Sequence, residues 1–212
     1  MITYTFLIII IVFSVYSFMN REIMHKYMFY PYLIKRNKEH YRFLTHAFIH
    51  GDYLHLLFNC LALFSFGLDL ETRIFPNEAV YGPKLGPVVY LVLFTGGIYA
   101  ASITEYIRNR DNSSYSSLGA SGAISSIMFV WILFNPTGII GLFFIPVPGW
   151  LAGILLLGVS YYLIQRKKKG TYSDGISHEA HFWGAIFGIF IVVATKPVVL
   201  KYFFNHVMSV FT

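Results

Sequence analysis

The chain has 212 residues, 56% hydrophobic and 12% charged, with a mean hydropathy of +0.60. A water-soluble domain carries about 25% charged residues, so this chain has too little charge to coat a surface in water. The net charge of +6 is spread over the connections between apolar runs, which excludes a concentrated nucleic-acid surface and suits lipid headgroups.

Six apolar segments, each close to the ~17–25 residues that cross a bilayer, define a polytopic membrane protein of the all-α class, one bundle with no separate soluble domain. The first, residues 2–19, lacks a basic leader and a small-residue cleavage site, so it reads as a retained helix. The connection 20–52 mixes Tyr27, Phe29, Tyr30 and Tyr32 with Lys35, Arg36 and Lys38. Aromatics with Lys and Arg belong at the membrane interface, and this first loop is expected to lie on the bilayer. The second segment, 53–70, contains His55 and Asn59. The third is 86–106. The fourth, 119–135, opens with Gly119-Ala120-Ser121-Gly122 and ends at Asn135-Pro136. The fifth lies within 139–164, where Pro146, Pro148 and Gly149 prevent one uninterrupted helix. The sixth, 179–196, opens with Ala180-His181-Phe182-Trp183-Gly184. The one cysteine, Cys60, cannot form an intrachain disulfide.

Polar groups within membrane segments are costly and point to function. Segments two, four and six run in the same direction, and His55, Ser121 and His181 all sit near their starts, so the three share a depth near one membrane face. Asn59 lies one turn beyond His55 on the same helical stripe. Gly184 and Gly188 on the sixth segment, and Gly122 and Ser126 on the fourth, form small-xxx-small faces that let helices approach closely. If those faces touch, the imidazole of His181 meets the hydroxyl of Ser121.

A serine hydroxyl becomes a nucleophile when a base takes its proton, which a neutral imidazole can do. At a helix N-terminus, Ser121 has free backbone N–H groups nearby, and His55 and Asn59 offer side-chain donors of the kind an oxyanion hole needs. No Asp or Glu lies in the apolar part of segments four or six, and neither Glu179 nor Asp174 is placed as a third triad member. The expectation is a Ser–His dyad. Ser116, Ser117, Ser125 and Ser126 are rival nucleophiles without both glycine flanks and the helix-start position, and His178 is a rival base assigned to the loop. His46, His50 and His55 have spacings compatible with zinc, but the lack of a Cys or carboxylate set disfavours a metal. His46 and His50 are expected to hydrogen-bond loop backbone.

Four of these patterns resemble the rhomboid family of intramembrane serine proteases. Arg42-Phe43-Leu44-Thr45-His46-Ala47-Phe48-Ile49-His50 is similar to its first-loop motif, and His55-Leu56-Leu57-Phe58-Asn59 to its H-x-x-x-N motif. Gly119-Ala120-Ser121-Gly122 is similar to its nucleophile motif, and Ala180-His181-Phe182-Trp183-Gly184 with Gly188 to its A-H-x-x-G-x-x-x-G motif. The resemblance implies a single rhomboid-like domain over 1–212, a six-helix bundle with an interfacial first loop. It implies cleavage of peptide bonds in or near transmembrane segments of membrane proteins through an acyl-enzyme. In that reading Ser121 attacks, His181 is the base, and His55, Asn59 and the Ser121 amide stabilise the oxyanion. No cofactor or metal is called for, and the partners are transmembrane substrates and lipid, not nucleic acid.

The resemblance also implies a multi-pass protein of the bacterial inner membrane with its cavity on the extracytoplasmic side, a structural part for Glu71, and a gate between segments two and five. Ser125 departs from relatives that place an aromatic under the histidine, which leaves either Trp183 or Phe182 to brace His181 or a ring that is less firmly fixed. With the N-terminus inside, most Lys and Arg fall in the outer connections, against the positive-inside rule. Two other classes stand beside the protease. One is a catalytically silent rhomboid-like protein that escorts membrane clients. The other is a small transporter, for which the chain lacks paired broken helices with inverted symmetry.

Overall fold

Helix α1 covers Ile2–Met19, the bounds read from the sequence, in a computed structural model that describes residues 1–142, 145–172 and 174–212. Its start is capped from a distance: the Glu71 carboxylate accepts from the Ile2 N–H at 2.6 Å and the Thr3 N–H at 2.9 Å. A carboxylate there satisfies orphan amides and complements the helix dipole.

The first loop folds into three short helices, α2 (Arg21–Tyr27), α3 (Pro31–Asn37) and α4 (Arg42–Thr45), the last followed by a 3₁₀ turn at His46–Phe48. Buried Arg42 organises it. Its guanidinium donates to the Glu39 carboxylate at 2.5 Å and to the carbonyls of His25 at 2.9 Å and Met28 at 2.8 Å. The planar five-donor fork of arginine suits such a junction.

Helix α5 (Tyr53–Ala62) is capped by Asp52, which accepts from the His55 N–H at 2.8 Å, and continues in π-type turns to Ile74. Helix α6 (Gly82–Asn109) follows, then α7 (Ser121–Phe134). A two-stranded antiparallel hairpin, β1 (Ile139–Leu142) and β2 (Ile145–Pro148), pairs Ile139 with Pro148 and Leu142 with Ile145. Helices α8 (Gly149–Lys168), α9 (His178–Thr195) and α10 (Val198–Met208) complete the order. The hairpin qualifies the all-α expectation: Pro146 and Pro148 lack the amide donors a helix needs, so helix begins only at Gly149. Helix α10 was not among the six segments, although Pro197 marks its start.

Among the described residues, four helices are long and apolar enough to cross a membrane: α1, α5 with its extension, α6 and α9. The chain is an integral membrane protein with a mostly helical fold. Lys35, Arg42, Arg108 and Lys167 lie in ion pairs with Asp111, Glu39, Glu179 and Asp174, so part of the basic excess in the connections is matched locally.

Helix α7 is buried nearly all round, as an apolar helix at the centre of a bundle should be. Helix α9 packs on it through glycine. A Cβ at Gly184 would strike the carbonyl oxygen of Gly122, and one at Gly188 the carbonyl oxygen of Ser126. Contacts in the same order, four residues apart on both helices, make α7 and α9 parallel. On the other side of α7, a Cβ at Gly97 of α6 would lie 2.9 Å from Ser126 Cβ and 3.0 Å from Ala123 Cα, while Gly122 faces Ala101. That reversed order makes α6 antiparallel to α7. Gly184→Leu should therefore force α9 off α7 and lower stability by about 3 kcal/mol or more. Thermal unfolding in detergent checks this, with Gly158→Leu, where a Cβ meets nothing within 4 Å, as the silent control.

Candidate active site

Helix α7 is 14 residues long, a rise of about 21 Å against a hydrocarbon core of about 30 Å. A helix that short, with its far end at one face, begins below the other face. Ser121 is its first residue. Ala120 offers no side-chain cap, so the first-turn N–H groups remain available to a ligand.

The segment leading to Ser121 is held by the first loop. Ser117 and Phe29 exchange backbone hydrogen bonds of 2.8 and 3.1 Å, the Gly119 N–H donates to the His46 carbonyl at 2.9 Å, and the Ala120 N–H donates to His50 Nε2 at 3.4 Å. With Nε2 accepting, His50 Nδ1 carries the proton and donates to Ser14 Oγ at 2.9 Å, while that hydroxyl donates to the Phe48 carbonyl at 3.3 Å. His46 Nδ1 pairs with the Arg42 carbonyl at 2.9 Å. Both rings bind the loop as expected from the sequence, and both are neutral. Burial depresses His46 to about 4; burial and then the His55 ring depress His50 to about 3.

Gly119 adopts φ +113°, a conformation open to glycine and closed to most residues. A Cβ there would lie 2.7 Å from His55 Cε1 and 2.9 Å from Nε2. The absent side chain admits the His55 ring against the turn before Ser121. The His50 and His55 rings meet edge-on at 4.8 Å. Asn59 Nδ2 donates to the His55 carbonyl at 2.9 Å, which fixes the buried amide one turn along α5.

The backbone contact of Gly122 with Gly184 puts Ser121 and His181 at the same end of two parallel helices. Ser121, His181, His55 and Asn59 all line one cavity of about 950 Å³, whose walls include Phe58 of α5 and Leu156 of α8. All four site residues expected from the sequence are thus brought together. No hydrogen bond joins Ser121 to His181 among the described residues. The aromatic partner of His181 is His178, 6.3 Å away and perpendicular. Trp183 or Phe182 was expected to brace His181; instead Trp183 is 40% exposed and Phe182 packs on Tyr161 and Trp183. The reason is angular, since residues one and two beyond His181 point away from it on a 3.6-residue helix. His178 faces Asp174, its Nε2 2.8 Å from the carboxylate, and Asp174 has no such contact with His181. Sequence reasoning passed over Glu105, a buried carboxylate of α6 on the same cavity; a lone charge inside segment 86–106 was the signal available.

A family model, Rhomboid domain, matches residues 37–197. The chain belongs to the rhomboid family. A plant relative, "RHOMBOID-like protein 12, mitochondrial" of Arabidopsis thaliana, is 34% identical over 147 residues, 67% of this chain and 42% of that protein. A bacterial relative, "Putative rhomboid protease YdcA" of Bacillus subtilis (strain 168), is 29% identical over 96 residues, 45% of this chain and 42% of that protein. The matched part is thus less than half of each relative's length. Because one relative is named as mitochondrial, membership places this rhomboid chain in a membrane without favouring the bacterial inner membrane that the resemblance implied.

The two neutral histidines give a sign to the pH dependence of stability. The unfolded chain takes up protons on them below about pH 6.5, where the folded rhomboid domain refuses them until about pH 4 at His46 and about pH 3 at His50. Their contribution is complete above pH 6.5 and is lost as pH falls toward 4. The unfolding midpoint should drop by on the order of 5 °C or more over that interval, with a smaller drop in His50→Gln; detergent thermal scans at stepped pH check it.

Proposed function

We propose that this rhomboid is an intramembrane serine endopeptidase working through a Ser121–His181 dyad. The observation that carries the reading is the glycine contact between α7 and α9, beside which a serine and an imidazole line one cavity. Substrate is a transmembrane protein, reaching the cavity between α5 and α8, where Phe58 is 53% exposed and also lines the cavity wall.

Ser121 Oγ attacks the scissile carbonyl carbon as His181 takes the hydroxyl proton. The oxygen of the tetrahedral intermediate gains negative charge and is met by the Ser121 N–H, His55 and Asn59. Collapse breaks the C–N bond, and His181 returns the proton to the departing amine, leaving an acyl-enzyme. Water, activated by the same imidazole, then attacks the ester, releases the acid and restores Ser121. In this scheme packing orients His181 without a carboxylate partner. The opening of the Ser121–His181 pair in the resting state suits a dyad that tightens on substrate, since apo hydrogen bonds of this kind are often long.

A fluorophosphonate probe tests the reading. Wild type should be labelled, Ser121→Ala should not be, and His181→Ala should lose at least about 10²-fold in labelling rate and in cleavage of a transmembrane substrate. His55→Ala should lose about 10²-fold in turnover with little change in stability. An unlabelled wild type would instead support a silent, client-binding rhomboid.

A further inference from the structure

Glu105 stands near the end of α6, 2% exposed, in a helix otherwise built to sit in lipid. A buried carboxylate persists only where its oxygens are occupied, and these are occupied in a particular way. One oxygen accepts from Ser117 Oγ at 2.8 Å, and the other accepts from Ser177 Oγ. Ser117 lies four residues before Ser121, and Ser177 four residues before His181. Each serine also has a second anchor. Ser117 pairs its backbone with Phe29, and Ser177 caps α9 by accepting from the Ala180 N–H at 3.2 Å. Tyr115 stands against the same group; burial first, and then the Glu105 carboxylate, raise its phenol well above the ordinary value, so it stays protonated.

We infer that Glu105 is a positioning residue that bridges the segment delivering Ser121 to the helix delivering His181 and fixes the spacing between them. The glycine contact sets how closely α7 and α9 approach, but it does not itself tie the segment before Ser121, which the first loop holds, to the start of α9 at Ser177. One carboxylate accepting from Ser117 and Ser177 supplies that tie. Two oxygens on one planar group hold their donors at a nearly fixed separation, which neither a single hydrogen bond nor packing alone would do. The inference rests on the protease reading for its consequence in turnover, and on the hydrogen bonds alone for its consequence in rigidity.

The test compares wild type with Glu105→Gln and Glu105→Met. Glutamine keeps both bridges, because its carbonyl accepts from one serine and its amide donates to the other. Methionine keeps the volume and removes both. Amide hydrogen exchange in the intact protein should show residues 117–123 and 177–184 losing protection together in the methionine variant, by at least tenfold, and retaining it in the glutamine variant. Cleavage should show kcat falling 10- to 100-fold in Glu105→Met with KM within twofold, and rescue by glutamine to within about fivefold of wild type.

Exchange unchanged in Glu105→Met, or raised in only one of the two segments, would overturn the bridge. Equal loss in both variants with a rise in KM would overturn it in favour of a carboxylate that binds substrate. A wild type that no phosphonate labels, together with coupled loss of protection in Glu105→Met, would sink the protease reading while leaving the bridge standing.

Discussion

Everything at the candidate site depends on two glycines meeting a backbone. Gly184 and Gly188 let α9 lie on α7 at the carbonyls of Gly122 and Ser126, a distance that any Cβ would forbid. Without a hydrophobic driving force between helices in lipid, such close packing is what holds the pair. Because the contacts run in the same order, the two helices start together, and their first turns carry Ser121 and His181. The juxtaposition of Ser121 and His181 is a consequence of helix register.

The rest of the molecule supports that register from outside. Antiparallel α6 seals the other flank of α7 through Gly97 and Ala101. Trp131 donates to Asp69 at 2.7 Å, fastening the far end of α7 to the extension of α5. Nearer the site, the first loop holds the turn before Ser121 by backbone pairing at Ser117, by the His46 carbonyl and by the His50 ring. This explains why a connection of some thirty residues folds into short helices around a buried arginine: it is a clamp on the segment that leads to Ser121. Gly119 then yields the space that His55 needs.

Much of this is legible in the sequence. The bounds of α1, the order of the long helices, the meeting of the three motifs on one cavity and the small-xxx-small contact rest on local or periodic properties, and periodicity is what a sequence displays. The functions of His46 and His50 as loop-binding groups also follow from their place beside the motif. What escapes is partner choice across long separations. Glu105 meets serines 12 and 72 residues away, and no periodic pattern pairs them. The pairing of β1 with β2 escapes because proline says where helix cannot form without saying what replaces it. Trp183 and Phe182 were expected to replace a missing aromatic under His181, but their angular positions on α9 direct them elsewhere, and His178 takes the neighbouring place.

The most direct test of the central claim is a structure of the protein after reaction with a phosphonate, read at the reacted atom and its neighbours. The account predicts phosphorus bonded to Ser121 Oγ, the His181 ring within hydrogen-bond reach of that oxygen, and the phosphoryl oxygen directed toward the Ser121 amide, His55 and Asn59. Phosphorus on Ser116, Ser117 or Ser125, or an adduct on Ser121 with His178 rather than His181 beside it, would contradict it.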